Sequence, residues 1–359
     1  MTDRASLPTP DPQSSELPKL RDTPELWRRV VPRLVFMAIT LVTLYILWPS
    51  LVSILRSWPA LLSVKPYWYP IMLGVEVASF ACAWGLQAIA LRTTRWFAVA
   101  TAQLAGNAVS KIVPGGAAAG SAIQFRMLSN SGIRGARVGS GLAAAGLIST
   151  ATLFALPVLS VPAALLGRPT PNDLAEAAWL GAVVFVAAFV LGWVMLTREG
   201  ALRATGRGIQ WVRNHLMRKR EPLTNLPDTL VRERAAIQET LERAWWKALL
   251  FALGNWLFDY LALLAALAAV GSKARPTLVL LAYAASMVLA MIPITPGGLG
   301  FVEAGLASLL VVAGASPAQA AVGTLAYRLV SYWLPLPAGA VAAALHRRRY
   351  PHGSTAAPA

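Results

Sequence analysis

Residues 177–196 read AAWLGAVVFVAAFVLGWVML, twenty residues without a charge. An α-helix rises 1.5 Å per residue, so about 20 apolar residues cross the roughly 30 Å hydrocarbon core of a bilayer. Five further segments are long and apolar enough to do the same: Leu34–Leu55, Trp68–Leu91, Val138–Leu166, Ala248–Val270 and Ala318–Leu345. Backbone polar groups in hydrocarbon must be satisfied internally, which restricts such a chain to helices or a closed barrel. Runs of this length specify helices. Composition agrees, with 56% hydrophobic and 13% charged residues against roughly 25% charged in a soluble domain. A soluble enzyme is excluded.

The formal net charge of +16 would suggest nucleic acid in a soluble protein. Here its distribution says otherwise. With the N-terminus placed inside, the segments on that side from Arg28 onward carry 22 Lys and Arg and those on the other side carry 5. Basic residues collect in cytoplasmic loops, so both termini are expected in the cytoplasm and no nucleic acid is implied. Eleven of the inside cations fall between Arg198 and Lys247, with six acids among them. That segment reads as an amphipathic cytoplasmic connection attracted to anionic lipid headgroups. The first 25 residues are polar and rich in proline, lack the apolar core of a signal peptide, and read as a disordered tail, as do residues 351–359. The membrane domain is expected over residues 26–350. Cys82 is the lone cysteine, so no internal disulfide forms, and His215, His346 and His352 lack metal-ligand spacing.

Two more apolar stretches, about Phe97–Leu128 and Leu278–Gly314, are each broken by Pro-Gly-Gly. Broken backbone is tolerated at membrane depth where protein buries it or it lines a cavity, so both read as re-entrant hairpins. For the second, with longer arms, a pair of full spans is an alternative. Pro114-Gly115-Gly116 and Pro296-Gly297-Gly298 are 182 residues apart. The same offset superposes the third span on the sixth and brings mid-span Glu76 next to mid-span Asp259. Three crossings per half would invert the second half relative to the first, as in many transporters. The expected fold is therefore an all-α polytopic membrane bundle of two inverted-topology repeats, about residues 34–166 and 177–345, each with a broken Pro-Gly-Gly hairpin.

The strings PITPGGLGFVE and VPGGAAAGSAIQFRML resemble the signatures of the lysylphosphatidylglycerol synthase transmembrane, flippase-like family, over about Leu34–Leu345. The resemblance implies a membrane protein associated with moving lipids or lipid-linked headgroups between leaflets. The soluble aminoacyl-transfer domain of two-part members is not expected here, and synthase activity is not carried over.

Charges in mid-membrane cost about 2.5–3.5 kcal/mol on insertion scales and mark functional sites. The candidates are Glu76, Lys111, Arg126, Asp259, Glu303 and Arg328. Glu303 is expected in the second turn of a helix starting near Gly298. The helix dipole alone, about 0.3–1 kcal/mol, does not offset its insertion cost, so a partner is needed, and Arg328 is the choice. The tips at Pro114, Gly115, Gly116 and at Pro296, Gly297, Gly298 offer backbone N–H groups for phosphate or small surfaces for helix packing. Lys111 and Arg126 suit a phosphate, although Arg126 also reads as an interfacial anchor. Glu76 and Asp259 are candidates for ion coupling or proton relay, or a structural pair. No cofactor, metal site or nucleophile–base pair is implied. The leading expectation is a lipid transporter of a bacterial plasma membrane that binds anionic headgroups. An integral membrane enzyme acting on lipid phosphates and a cell-envelope scaffold are the alternatives.

Overall fold

The computed structural model describes residues 64–113, 116–157, 226–291 and 296–351, together with residues 200, 203, 204, 206–208, 210 and 211. The two tails, the expected first and fourth spans, much of the basic connection, and Pro114 and Gly115 lie outside the described residues. Every regular element among the described residues is helical: α1 Trp68–Ala90, α2 Trp96–Ile112, α3 Gly116–Asn130, α4 Gly135–Ala155, α5 Leu226–Ala269, α6 Pro276–Ala290, a 3₁₀ turn Pro296–Gly298, α7 Phe301–Val312, α8 Pro317–Arg328, a π turn Leu329–Trp333 and α9 Pro335–Arg349. Helix α5 breaks at Ala244, whose φ of −141° leaves the helical region. That break separates the basic connection from the span Ala244–Ala269.

Among the described residues, four stretches are long and apolar enough to cross a membrane: Trp68–Ala90, Gly135–Ala155, Ala244–Ala269 and Pro317–Arg349. Only 33% of each apolar window is buried inside the protein. The remaining surface, with Val77, Leu147, Leu250 and Val341 exposed, is an apolar area that water would not tolerate and lipid covers. Helices α2, α3, α6 and α7 have 17, 15, 15 and 12 residues, short of a typical span of about 20 residues, with α2 at the lower limit.

The sequence offset recurs in the backbone. Asn130 and Val312, which close α3 and α7, are 182 residues apart, as are Gly135 and Pro317, which open α4 and α8. Between them Gly132 and Gly314 take the same role. Both have positive φ, 85° and 100°, and the next N–H reaches back five residues, Ile133 to Leu128 and Ala315 to Leu310. This left-handed C-cap closes a helix and suits glycine. Helix α8 restarts from Ser316, whose side chain caps Gln319 N–H while the Gln319 side chain accepts from Ser316 N–H.

Helices α1 and α5 pack along their lengths and run in opposite directions. Asn255 donates to the carbonyl and hydroxyl of Ser79 at 3.1 and 2.9 Å, and Ser79 Oγ donates to Asn255 O at 2.8 Å. One turn further, Gly254 faces Cys82 and then Gly85 faces Phe251. Around α5 the core gathers Met72, Leu263, Tyr283, Leu306, Leu310 and Tyr327. Helices α2 and α9 form a second antiparallel pair: Gly339 lies against Leu104 and Ala108, His346 bonds Thr101, and Tyr350 meets the Phe97 ring.

Candidate functional site

Five of the six expected mid-membrane charges converge on one buried cluster, drawn from α1, α2, α5, α7 and α8. Glu303 and Arg328 form the ion pair expected from the sequence. The Arg328 Nε donates to Glu303 Oε1 at 2.7 Å and Nη2 lies 2.7 Å from the same oxygen. The two side chains are only 17% and 8% exposed, so the pair is largely withdrawn from solvent. Glu303 sits in the first turn of its helix, not the second. Gly297, Gly298 and Gly300 have φ of 60°, 71° and 78°, so the chain turns until Phe301 before the α-helix begins. The helix dipole therefore acts on Glu303 at closer range than expected, and Arg328 adds to it.

The end of α2, on the first hairpin, meets the tip of the second at this cluster. The Tyr332 hydroxyl donates to Lys111 O at 2.8 Å, and Gly297 lies against both Lys111 O and that hydroxyl. The Lys111 Nζ donates to Ser331 O at 2.7 Å. The reason this carbonyl is available lies in the sequence. In an α-helix Ser331 O would accept from residue 335, and residue 335 is proline, with no N–H. The π turn, closed by Leu334 N–H donating to Leu329 O at 3.0 Å, aims the freed carbonyl at the lysine. The Tyr332 ring then lies between the cations, 5.1 Å from Lys111 Nζ and 4.5 Å from the Arg328 guanidinium, an arrangement that favours positive charge. Arg328 Nη2 also donates to Gly297 O at 3.4 Å, tying the second tip to α8.

On the other side of the cluster Glu76 and Asp259 meet side chain to side chain. Asp259 accepts from Tyr327 Oη at 3.0 and 2.9 Å on its two oxygens, and Tyr283 Oη donates to Oδ2. Glu76 is 6% exposed, and its Oε2, like Glu303 Oε2, has no hydrogen-bond partner. Three carboxyls thus face two cations, and two carboxyl oxygens retain unused acceptor capacity. A buried acceptor without a donor costs about 1–3 kcal/mol, so the cluster has room for a proton, a cation or a donor group.

Arg126 does not join it. It is exposed on α3 and lines a separate cavity with Arg347 and Tyr350. The helical register explains this: Arg126 is ten residues past the tip residue Gly116, about 15 Å along α3, while Lys111 is next to the tip. Gly116 opens α3 and packs on Ser110. Three tyrosines at the centre, Tyr283, Tyr327 and Tyr332, were not singled out by the sequence. The available signal was their place in apolar helices, Tyr327 adjoining Arg328 and Tyr332 one turn beyond it. A buried tyrosine hydroxyl needs a partner. The uncharged polar side chains of Asn255 and Gln124 link helices, Asn255 bonding Ser79 and Gln124 accepting from Gln87 at 3.1 Å. Asn107 Oδ1 is buried without a partner.

A search of curated proteins found no significant match. The family described as lysylphosphatidylglycerol synthase TM region matches residues 24–339. The match takes in the four described stretches long enough to span, apart from the last turns of α9, and every charge of the buried cluster. The chain is an integral membrane protein and belongs to the lysylphosphatidylglycerol synthase TM region family.

Proposed function

We propose that the protein moves an anionic phospholipid or lipid-linked intermediate between the leaflets of a bacterial plasma membrane, with both termini in the cytoplasm, and that it is not an enzyme. The observation that carries this reading is the meeting of two Pro-Gly-Gly hairpins at a buried cluster of Glu76, Lys111, Asp259, Glu303 and Arg328. Broken helices that bring charge to the centre of an inverted repeat are the architecture of alternating access. The antiparallel course of α1 and α5, which the 182-residue offset pairs, supports that inversion, and the short hairpin arms support re-entry. In this reading Lys111, Arg328 and the backbone of Gly116, Gly297 and Gly298 receive the headgroup phosphate as the ion pair opens. Glu76 and Asp259 take up the proton or cation that balances it.

The test is a leaflet-resolved exchange assay on purified protein in liposomes with labelled anionic phospholipids. Exchange by the wild type, lost in Glu303→Gln with the lipid chemically unaltered by mass spectrometry, is the expected result. A lipid product of changed mass would replace transport by catalysis. Equal exchange by the variant would remove Glu303 from the mechanism, and no exchange by a folded wild type would favour the scaffold.

A further inference from the structure

A cavity of about 460 Å³ lies between α2, α3 and α9, apart from the buried cluster. Its walls are apolar: Ala105 to Ile112 on α2, Ile123 on α3, and Leu336 to Ala343 on α9. At one end its lining changes to Arg126, Asn130, Arg347 and Tyr350. The three helices contribute at spacings of three and four residues, so each presents one continuous stripe to the space. Ile112 is exposed, as are Ala340, Arg126 and Arg347, so the cavity opens to the surface along its length and at its basic mouth.

Its dimensions indicate what fits. Eleven residues separate Leu336 from Arg347, about 16 Å along α9, or close to half the roughly 30 Å hydrocarbon thickness. The apolar wall is therefore one leaflet deep, with its cations at the end where the protein's basic residues concentrate. A pocket of about 300–1,000 Å³ with apolar walls and a few polar groups at one end fits an amphiphile. An arginine fork suits a phosphate. At its inner end the groove reaches Ile112, the neighbour of Lys111 in the buried cluster.

We propose that this groove binds one anionic phospholipid of the cytoplasmic leaflet, with an acyl chain along α2 and α9 and its phosphate between Arg126 and Arg347. The site rests on the transport reading for its role, as the place where substrate waits before reaching Lys111, but its occupancy stands independently. His346 holds the mouth in shape. Its Nε2–H donates to Met127 O at 3.0 Å on α3 and Nδ1 bonds Thr101 Oγ1 at 2.7 Å on α2.

The test uses the full chain in liposomes containing phosphatidylglycerol with a photoactivatable acyl chain, and the same probe with a phosphatidylcholine headgroup. Adducts should map to residues 105–112 and 336–343. Arg126→Gln with Arg347→Gln should cut labelling by the anionic probe roughly tenfold, the scale of one lost charge-assisted contact, and cut labelling by the zwitterionic probe less, since that probe carries the same phosphate but its ammonium opposes the arginines. Ala340→Trp, at an exposed position on the wall, should block both, with thermal unfolding showing that each variant folds. Adducts elsewhere, or equal anionic labelling in the double variant, overturn the proposal. Groove adducts without any lipid exchange leave the site standing and refute transport. Exchange at full rate by an Ala340→Trp variant that no longer labels refutes the groove as the place where substrate waits and leaves transport standing.

Discussion

Replacing Glu303 by Gln should destabilise the protein by about 2–3 kcal/mol, and the structure indicates why the loss is of that size. Removing one member of a buried ion pair costs about 3–5 kcal/mol, because the remaining charge is left uncompensated. Arg328 is 7% exposed, so water cannot replace the carboxylate. It does retain Gly297 O at 3.4 Å and the Tyr332 ring at 4.5 Å, and a desolvated cation over an aromatic face recovers up to about 2 kcal/mol. The glutamine carbonyl also keeps one acceptor in place, which brings the figure to the lower end. Arg328→Gln should cost a similar amount through Glu303, whose Oε2 already lacks a donor. The double variant removes both charges and should cost less than the sum. The assay is reversible unfolding in mixed micelles on all four proteins, read as a double-mutant cycle. A coupling energy below about 0.5 kcal/mol, the scale of an exposed pair, would refute the burial argument.

Asp259→Asn turns one of the two oxygens that accept from Tyr283 and Tyr327 into an NH2 donor, leaves one buried hydroxyl without its acceptor, and should cost about 1–3 kcal/mol; an unchanged unfolding free energy would show that both hydroxyls share the remaining oxygen or find other partners. Asn255→Ala, which deletes the bonds to Ser79, should cost about 0.6–1.7 kcal/mol, the measured scale of interhelical hydrogen bonds in membranes, and Ser79→Ala in the same background should add little. Gly120→Leu would drive a side chain against α2, since a Cβ there would lie 2.5 Å from Gly106 O and 2.9 Å from Ser110 Cβ; the overpacking should lower stability by about 1–3 kcal/mol, whereas Gly146→Ala, with open space around it, should be neutral or raise stability by up to about 1 kcal/mol in the same unfolding assay.

Hydrophobic run length was enough to read the spans at Trp68, Ala248 and Ala318 to within a few residues, because the bilayer imposes a fixed length on each. The ion pair of Glu303 and Arg328 was legible for a related reason: two isolated charges in apolar helices need each other. The start of α7 was misplaced because the pattern does not say which glycines take positive φ. Gly300, not Gly298, is the last to do so. Arg126 was grouped with the central charges because linear distance from a tip was read without its direction along the helix. The tyrosines escaped notice since a tyrosine in an apolar run is equally suited to an interfacial belt. Only the fold decides that Tyr283 and Tyr327 reach Asp259 instead.

The π turn Leu329–Trp333 also makes a demand on chain length. A π turn is equivalent to one residue inserted into an α-helix. Deleting a single residue there would restore regular winding and rotate everything beyond it by about 100° relative to Arg328. Gly339 would leave the face that meets Ala108, and His346 would leave Thr101. The turn therefore works as a phase shifter between two halves of one span, one set to the ion pair and the other to the first hairpin. A one-residue deletion in this segment would put these two sets of contacts out of phase, while a deletion of the same size in the loop before Arg275 would leave that phase intact.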